Sequence, residues 1–419
     1  MEHIPHFKST LNNGLRVLIH HAPQNRQAIF SITYNVGSSN ETPNRTGMAH
    51  LLEHLMFEGT PSFPHFDTIV QKAGGSSNAF TSPDITCYYE SLPAENLEVA
   101  CELEADRMSH ATLDDQKIEI QKKVVLEEFK ERYINNPYGD VWHLLRSLCF
   151  ESTPYEWPVI GRTPEEVQSL TPEEIRHFHR KFYHPGNSII VVACPQKPEN
   201  ILPTIVKYFN HIQPSETLSD GPTQIQKDDT IGNPRFKHVN RKVPDSVIYL
   251  CWRTRASTEI PSQLGYIMAE WLGGSETSPL HEILVRNKKI LTSVQAYHLE
   301  GALDGLFVIS GRLNEGVLFQ AVREEILKII RNFRTGHVEV SRLKRIKNLL
   351  QTSRHFELTQ AYQKVQRLLW FELIWGDAAL ESEYEERLEN TSSEQIFRFA
   401  YEYLSPEKLY ELWYEKENL

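Results

Sequence analysis

Apolar positions along the chain form short strand-like runs and longer stretches with helical spacing, and the two halves of the chain echo one another. A strand-like run opens each half, at residues 28–35 and 246–252, and a helical segment follows each run, at 46–57 and at about 262–272. Long amphipathic helices are predicted further on, at 317–334, 342–359 and 361–373. Strands followed by long helices favour an α+β architecture, with a sheet on one side and helices on the other.

A polar segment divides the chain near its middle. Residues 214–235 are rich in turn-forming residues, a composition typical of linkers. A chain of 419 residues is also longer than one ordinary hydrophobic core requires. We therefore predict two domains, 1–213 and 236–419, joined by a linker at 214–235.

The first helical segment carries His50, Glu53 and His54, whose spacing places all three on one helix face. Two neutral imidazoles can bind Zn²⁺ together with a third protein ligand, and a water takes the open position. Zinc lowers the pKa of such a water to about 7, and Glu53 is the natural group to take its proton. The pattern predicts a zinc hydrolase site, although an ordinary polar helix face would show the same three residues.

An acidic helix further along offers candidates for the third ligand. Thr112 is predicted as its N-cap, with acidic residues in the first turn, and the apolar residues 124–126 are expected to anchor it in a core. Three carboxylates follow as candidate ligands: Glu127, Glu128 and Glu131. Spacing alone leaves the choice open, because each would equally suit a solvated helix face.

Several segments, in order, resemble landmarks of the M16 (pitrilysin-like) metallopeptidases. Residues 47–60 resemble the zinc helix of that family, and 124–128 resemble its third-ligand segment, with Glu128 at the ligand position. Two further segments, 74–81 and 86–89, resemble its substrate-binding edge strand and the sequence that follows. Later landmarks of the family are matched by Pro158-Val159-Ile160-Gly161 and by Tyr183-His184-Pro185-Gly186-Asn187.

The resemblance implies an α+β fold of two homologous domains, each an antiparallel β-sheet with helices packed on it. It implies Zn²⁺ on His50, His54 and Glu128, with Glu53 as the catalytic base. In the family, an unfolded peptide adds as an extra strand to a sheet edge inside an enclosed chamber, so that main-chain hydrogen bonds supply the affinity. The predicted substrate-binding residues are Asn78, Ala79 and Phe80, although Phe80 would equally suit the core of a strand.

Two departures from the family pattern affect the expected activity. Gln121 lies seven residues before Glu128, where the family usually has a second Glu that assists catalysis. A glutamine can orient a partner, but it carries no charge. Active single-chain members also have an Arg and, seven residues on, a Tyr that grip the substrate; the aligned positions here hold Val285 and Thr292, with Arg286 one residue out of register and Tyr297 further on.

We therefore predict a zinc-dependent endopeptidase that acts as the catalytic subunit of a heterodimer. In heterodimeric members of the family, one subunit bears the zinc and a homologous subunit completes the site; here that partner would supply the Arg and Tyr. Loss of such oxyanion donors costs a few kcal/mol of transition-state stabilisation, so the lone chain is expected to be nearly inactive. The alternative is a non-catalytic scaffold subunit, a class that generally loses the zinc residues.

Charge and composition argue against a nucleic-acid-binding protein and against a membrane-spanning protein. The net charge of −11 argues against a nucleic-acid partner, and the chain has no apolar run of 18 residues that would predict a membrane span. The five cysteines are scattered and lack Cys-x-x-Cys spacing, so buried thiols in a reducing compartment are expected. The first residues lack the features of a signal peptide. A cytoplasmic location is expected, and a targeting segment removed earlier stays compatible with the sequence.

Overall fold

The structure, a computed structural model, describes residues 4–214, 235–259, 262–335 and 339–417. Two β-sheets with helices packed on them account for most of these residues. The strands are β1 Phe7–Thr10, β2 Arg16–His21, β3 Gln27–Tyr34, β4 Ser76–Thr81, β5 Thr86–Pro93, β6 Ser188–Cys194, β7 Arg235–Arg241, β8 Val247–Arg255, β9 Leu291–Leu299, β10 Asp304–Leu313 and β11 Tyr410–Lys416.

Helices occupy the segments between the strands and most of the chain after β10. They are α1 Met48–Met56, α2 Phe66–Lys72, α3 Leu97–His110, α4 Asp115–Phe129, α5 Val141–Cys149, α6 Pro164–Ser169, α7 Pro172–Phe182, α8 Pro198–Phe209, α9 Ser262–Gly273, α10 Phe319–Thr335, α11 Val340–Glu357, α12 Ala361–Ile374, α13 Glu381–Asn390 and α14 Ser393–Tyr403. Among the described residues, no helix is both long and apolar enough to span a membrane.

The two sheets repeat one topology. The first sheet has the strand order β1-β2-β6-β3-β5-β4, and the second has the order β7-β11-β8-β10-β9. Each contains one parallel pair, β2 with β6 and β7 with β11, and all other pairs are antiparallel. Strand β4 of the first sheet therefore corresponds to β9 of the second, and none of the described strands of the second sheet is a counterpart of β1. The predicted α+β fold with two homologous sheet domains is confirmed.

The described residues form two compact units that each draw on three segments of the chain. The first unit lies within Met1–Glu131, Trp157–Ile225 and Phe356–Ser382. The second unit lies within Arg132–Glu156, Gln226–His355 and Glu383–Leu419. A single break in the chain therefore does not separate them. Most of the predicted linker, 215–234, lies outside the described residues, and the predicted domain boundaries stay a prediction.

Apolar residues on both faces of the central strands explain this arrangement. Every residue of β6 is buried, which requires cover on both sides of the first sheet. Helices α3 and α8 pack against strands of this sheet, and α12 contributes Val365, Leu368 and Leu369 to a core with β6. In the second unit, α5 contributes Leu145 and Cys149 to a core with β8, β10 and β11.

Two local expectations about the third-ligand helix were wrong. Helix α4 begins at Asp115, and Asp114 is its N-cap, because the Asp114 carboxylate accepts a hydrogen bond from the Lys117 N–H at 2.9 Å. Thr112 lies two residues too early for that geometry. Val125 is fully buried as expected, but the neighbouring Val124 is exposed, since it lies one position round the helix from the core face.

Candidate metal centre

Helix α1 is held at its N-terminus by a buried carboxylate. Glu41 accepts hydrogen bonds from the backbone N–H groups of Gly47, at 2.9 Å, and Ala49, at 2.8 Å, and from the Trp157 indole at 3.0 Å. Negative charge is favourable at this end of a helix. Burial nevertheless raises the pKa of Glu41 to about 8, against the opposing effect of these donors. No pattern in the sequence marks Glu41 for this role.

The segment Pro158-Val159-Ile160-Gly161 packs directly against the start of α1. Gly47 has a φ of 86°, and a Cβ there would lie 2.6 Å from the Ile160 carbonyl oxygen. Gly161 has a φ of 110°, and its Cβ would lie 3.3 Å from the Gly47 Cα. Both positions therefore require glycine. This close contact gives a physical reason for the family landmark at 158–161.

The apolar pattern of α1 decides which face stays accessible. Leu51, Leu52 and Leu55 are fully buried, while the motif side chains are only partly covered. The exposed fractions of the side chains are 13% for His50 and 26% for His54. The two imidazole centroids lie 4.8 Å apart. The helix therefore buries its leucines and presents both histidines to the same space.

Glu128 of α4 meets both histidines. Its carboxylate oxygens lie 3.9 Å from His50 Nε2 and 3.4 Å from His54 Nε2, and one candidate ligand atom from each of the three residues lies within 4.8 Å of the others. Tetrahedral zinc with bonds of about 2.0–2.1 Å separates neighbouring ligand atoms by about 3.4 Å. Two neutral imidazoles and a carboxylate at these separations fit Zn²⁺ with small side-chain movements. Among the described residues, this is the one such cluster of His, Cys, Asp or Glu found.

Glu53 lies beside these ligands and is bonded to the sheet edge. The Thr81 hydroxyl, at the end of β4, donates a hydrogen bond of 2.5 Å to Glu53 Oε2. Two tyrosines lie close by: burial raises the pKa of both Tyr88 and Tyr183, and the negative charge of Glu53 adds to each shift. Their hydroxyl oxygens are 3.4 Å apart. Tyr183 belongs to the family landmark at 183–187, so this second landmark lies next to the predicted base.

Gln121 contacts the turn that follows α1 rather than the predicted ligands. Its side-chain amide donates to Glu58 Oε1 at 2.6 Å, and Lys117 Nζ donates to the Glu58 carbonyl oxygen at 2.7 Å. The Lys117 ammonium is also 3.6 Å from the Glu58 carboxylate. These contacts tie the end of α1 to α4, the two helices that carry the ligands. The role assigned to Gln121 in catalysis stays a prediction, and its observed contact is with Glu58.

Strand β4 is an edge strand of the first sheet, next to α1. Asn78 is exposed, and its side-chain oxygen accepts the Ala79 N–H at 2.8 Å, so one main-chain donor of the edge is engaged by its own strand. Phe80 packs against a buried core cluster that includes Cys87 and Val365. The side chain of Phe80 therefore belongs to the core, and only its main chain stays a candidate for pairing with a peptide.

The positions at which active single-chain members of the family bind substrate with an Arg and a Tyr lie in the second unit of this chain. Val285 is in a π-helical turn, His281–Asn287, and packs against the core of that unit. Thr292 is exposed on β9, and its hydroxyl donates to the Arg312 carbonyl oxygen at 3.4 Å. Arg286 is exposed, and Tyr297 packs against the α5 core. Neither Val285 nor Thr292 has a side chain that could replace an Arg or a Tyr.

The fold is that of one class of protein, the M16 peptidases. The family model "Insulinase (Peptidase family M16)" matches residues 16–160, and the model "Peptidase M16 inactive domain" matches residues 169–350. The chain belongs to peptidase family M16, as the resemblance indicated. The second model matches the region in which the sequence offers no zinc motif.

Individual relatives extend over nearly the whole chain. The chain is 26% identical to the zinc protease PqqE of Helicobacter pylori over 404 residues, covering 95% of this chain and 90% of the relative. It is 23% identical to the mitochondrial-processing peptidase subunit beta of Saccharomyces cerevisiae, covering 82% of this chain and 77% of that protein. The crystal structure of a protease from Helicobacter pylori has a TM-score of 0.91 at 25% identity, covering 98% of this chain and 99% of that one.

Proposed function

We propose that this chain is a zinc-dependent endopeptidase that cleaves unfolded peptides. The observation that carries the proposal is the meeting of His50, His54 and Glu128 around one point, with Glu53 alongside. The relatives named as zinc proteases support it. A chain kept only as a scaffold would have no need to retain all four residues in this arrangement.

The residues present divide the chemistry as follows. His50, His54 and Glu128 would hold the zinc, which when bound lowers the pKa of a water and polarises a peptide carbonyl. Glu53 accepts the proton of the attacking water at its carboxylate and delivers it to the amine of the departing peptide. The main chain of β4 at Asn78, Ala79 and Phe80 pairs with the extended substrate, and the Ala79 N–H exchanges its bond to Asn78 for one to the peptide.

We further propose that the chain works as the catalytic subunit of a heterodimer and that the pair encloses the substrate. Support comes from Val285 and Thr292, which offer no cation and no phenol to hold a developing oxyanion. An identical partner would lack the same groups. A homologue without the zinc motif, bearing the Arg and Tyr, is therefore the expected partner. The mitochondrial-processing peptidase subunit beta is itself named as one subunit of a larger enzyme.

A cytoplasmic location is also proposed. All five cysteines are buried and free, which suits a reducing compartment. Cell fractionation with a tagged full-length protein tests this point independently of any activity.

The test of the function is an assay with a basic unfolded peptide. The zinc-loaded chain is assayed alone and then mixed with its homologue lacking the motif, and cleavage is expected in the mixture. Glu53→Gln should lower turnover by at least about 100-fold while bound zinc, measured by elemental analysis, stays at the wild-type level. Near-normal turnover of the Glu53→Gln variant would show that Glu53 is not the catalytic base.

The outcomes also separate the alternatives. Robust cleavage by the pure chain would contradict the heterodimer hypothesis. It would also show that catalysis does not require an Arg and a Tyr in place of Val285 and Thr292. Full zinc occupancy without cleavage in either sample would favour the non-catalytic scaffold subunit.

A further inference from the structure

A single threonine connects the substrate-binding edge to the predicted base. Thr81 is the last residue of β4, directly after Asn78, Ala79 and Phe80, and its hydroxyl donates to Glu53 Oε2 at 2.5 Å. A hydrogen bond from a hydroxyl to a carboxylate is charge-assisted and directional. It restricts rotation of the Glu53 carboxyl group and so fixes where both carboxylate oxygens lie.

The side chain of Thr81 faces α1 because of the alternation along β4. Residues 77, 79 and 81 share one face of the strand. On that face, Ser77 bonds Asp67 of α2 at 2.7 Å, just as Thr81 bonds Glu53 of α1. Phe80 points the other way, into the core cluster. The packing of Phe80 against that cluster therefore sets the direction in which the Thr81 hydroxyl points.

The hairpin that follows β4 holds Thr81 in place. Thr81 pairs with Thr86 of β5, whose hydroxyl donates to the Val36 carbonyl oxygen at 2.9 Å. The turn between them is closed by a bond of 2.8 Å from the Ser82 N–H to the Ile85 carbonyl oxygen, and the Ser82 hydroxyl oxygen accepts the Ile85 N–H at 3.0 Å. A residue fixed by this many contacts can hold Glu53 in one orientation at no further entropic cost.

We infer that Thr81 is a positioning residue for the Glu53 base, and that it couples the peptide-binding strand to proton transfer. The inference rests on the proposed endopeptidase function for its catalytic consequence, whereas the orientation of Glu53 by Thr81 can be measured without turnover. Because the hydroxyl acts on Glu53 and not on the peptide, its loss should lower kcat and leave KM nearly unchanged.

The test compares Thr81→Val, which removes only the hydroxyl at nearly constant shape, with Thr81→Ser, which keeps it. Thr163→Val is the control for exchanging a threonine hydroxyl for a methyl group, because Thr163 is the N-cap of α6 and its hydroxyl oxygen accepts the Glu166 N–H at 3.3 Å. In the active assembly, Thr81→Val should lower kcat by about 10–100-fold with KM within about twofold. Thr81→Ser should restore kcat to within a few-fold of wild type, and Thr163→Val should leave it unchanged. Combined with Glu53→Gln, Thr81→Val should have no further effect.

A crystallographic readout works whether or not peptides are cleaved. In zinc-loaded crystals, the Glu53 carboxylate should occupy one conformation in the wild type and in Thr81→Ser, and should move or split in Thr81→Val. An unchanged Glu53 in Thr81→Val overturns the inference, even if the chain proves to be a scaffold. An unchanged kcat in Thr81→Val, with Glu53→Gln inactive, overturns it while leaving the proposed function standing, and an effect on KM alone would assign Thr81 to peptide binding instead.

Discussion

Helices α1 and α9 occupy corresponding places in the two units, yet they meet their edge strands in different ways. Helix α9 lies flush on β9: a Cβ at Gly265 would be 2.3 Å from His298 Nδ1, and one at Gly273 would be 2.7 Å from the Ala296 backbone nitrogen. Helix α1 instead meets β4 through polar groups, with Glu53 bonded to Thr81. Both helices bury an apolar face, but α1 leaves an accessible face that carries His50, Glu53 and His54, whereas the sequence of α9 contains Glu270 and no histidine.

The comparison shows that topology alone does not make a metal site. Buried His298 of β9 bonds the Thr254 hydroxyl across 3.0 Å, and burial lowers the pKa of His298 to about 4. That histidine is a neutral core residue. His50 and His54 differ because they lie on the accessible face of α1, where both imidazoles approach the Glu128 carboxylate of α4. Close packing through glycine, in contrast, excludes the space that an ion needs.

The largest expected effect is on zinc binding. Glu128→Ala removes the third ligand and should lower zinc affinity by orders of magnitude, because two imidazoles alone leave the ion half coordinated. Glu270→Ala, in the corresponding helix α9, should leave zinc stoichiometry unchanged. Elemental analysis after dialysis measures both, and zinc should raise the melting temperature of the wild type and of Glu270→Ala but not of Glu128→Ala. Full zinc retention by Glu128→Ala would assign the third ligand elsewhere.

A second effect concerns the pH dependence of the α1 anchor. Burial raises the pKa of Glu41 from 4.5 to about 8, so the folded protein binds a proton that the unfolded chain releases between these values. The contribution of Glu41 to stability is therefore fully present below pH 4.5 and is lost as the pH rises through about 8, at up to about 1.4 kcal/mol for each pH unit. Glu41→Gln, which resembles the protonated carboxyl group, should lack this dependence.

The measurement is the free energy of unfolding of zinc-free wild type and Glu41→Gln between pH 5 and 9. The wild type should lose stability relative to Glu41→Gln as the pH rises. A relative gain would mean that the N–H donors of Gly47 and Ala49 keep Glu41 ionised despite its burial.

The smallest of these effects tests the close packing of α9. Gly265→Ala adds a methyl group that would lie 2.3 Å from His298, and overpacking of this kind costs about 1–3 kcal/mol, partly offset by the better helix propensity of alanine. Urea unfolding should show this loss, and zinc binding should be unaffected. A double-mutant cycle with His298→Ala should show that the loss depends on the imidazole. A stabilised Gly265→Ala protein would contradict the flush contact on which the comparison depends.

The sequence determined the chemistry of the site because that information is local. The spacing of His50, Glu53 and His54 fixes one helix face, and the apolar pattern of α1 decides that this face stays accessible. The two-sheet α+β plan followed from the order of strand-like and helical segments. Glu128 needed the family resemblance, because helical spacing treats Glu127, Glu128 and Glu131 alike.

Only the tertiary structure decided the contacts between segments distant along the chain. Glu41 at the start of α1, Glu58 against Gln121, and Thr81 against Glu53 are ordinary polar residues in the sequence, and no periodicity marks them. Helix α5 comes from the first half of the chain but packs in the second unit, and α12 comes from the second half but packs in the first unit. Each placement depends on which face of the sheet remains to be covered. Such choices depend on long-range packing, in which a residue's role comes from its neighbours in space, whereas sequence patterns report only its neighbours along the chain.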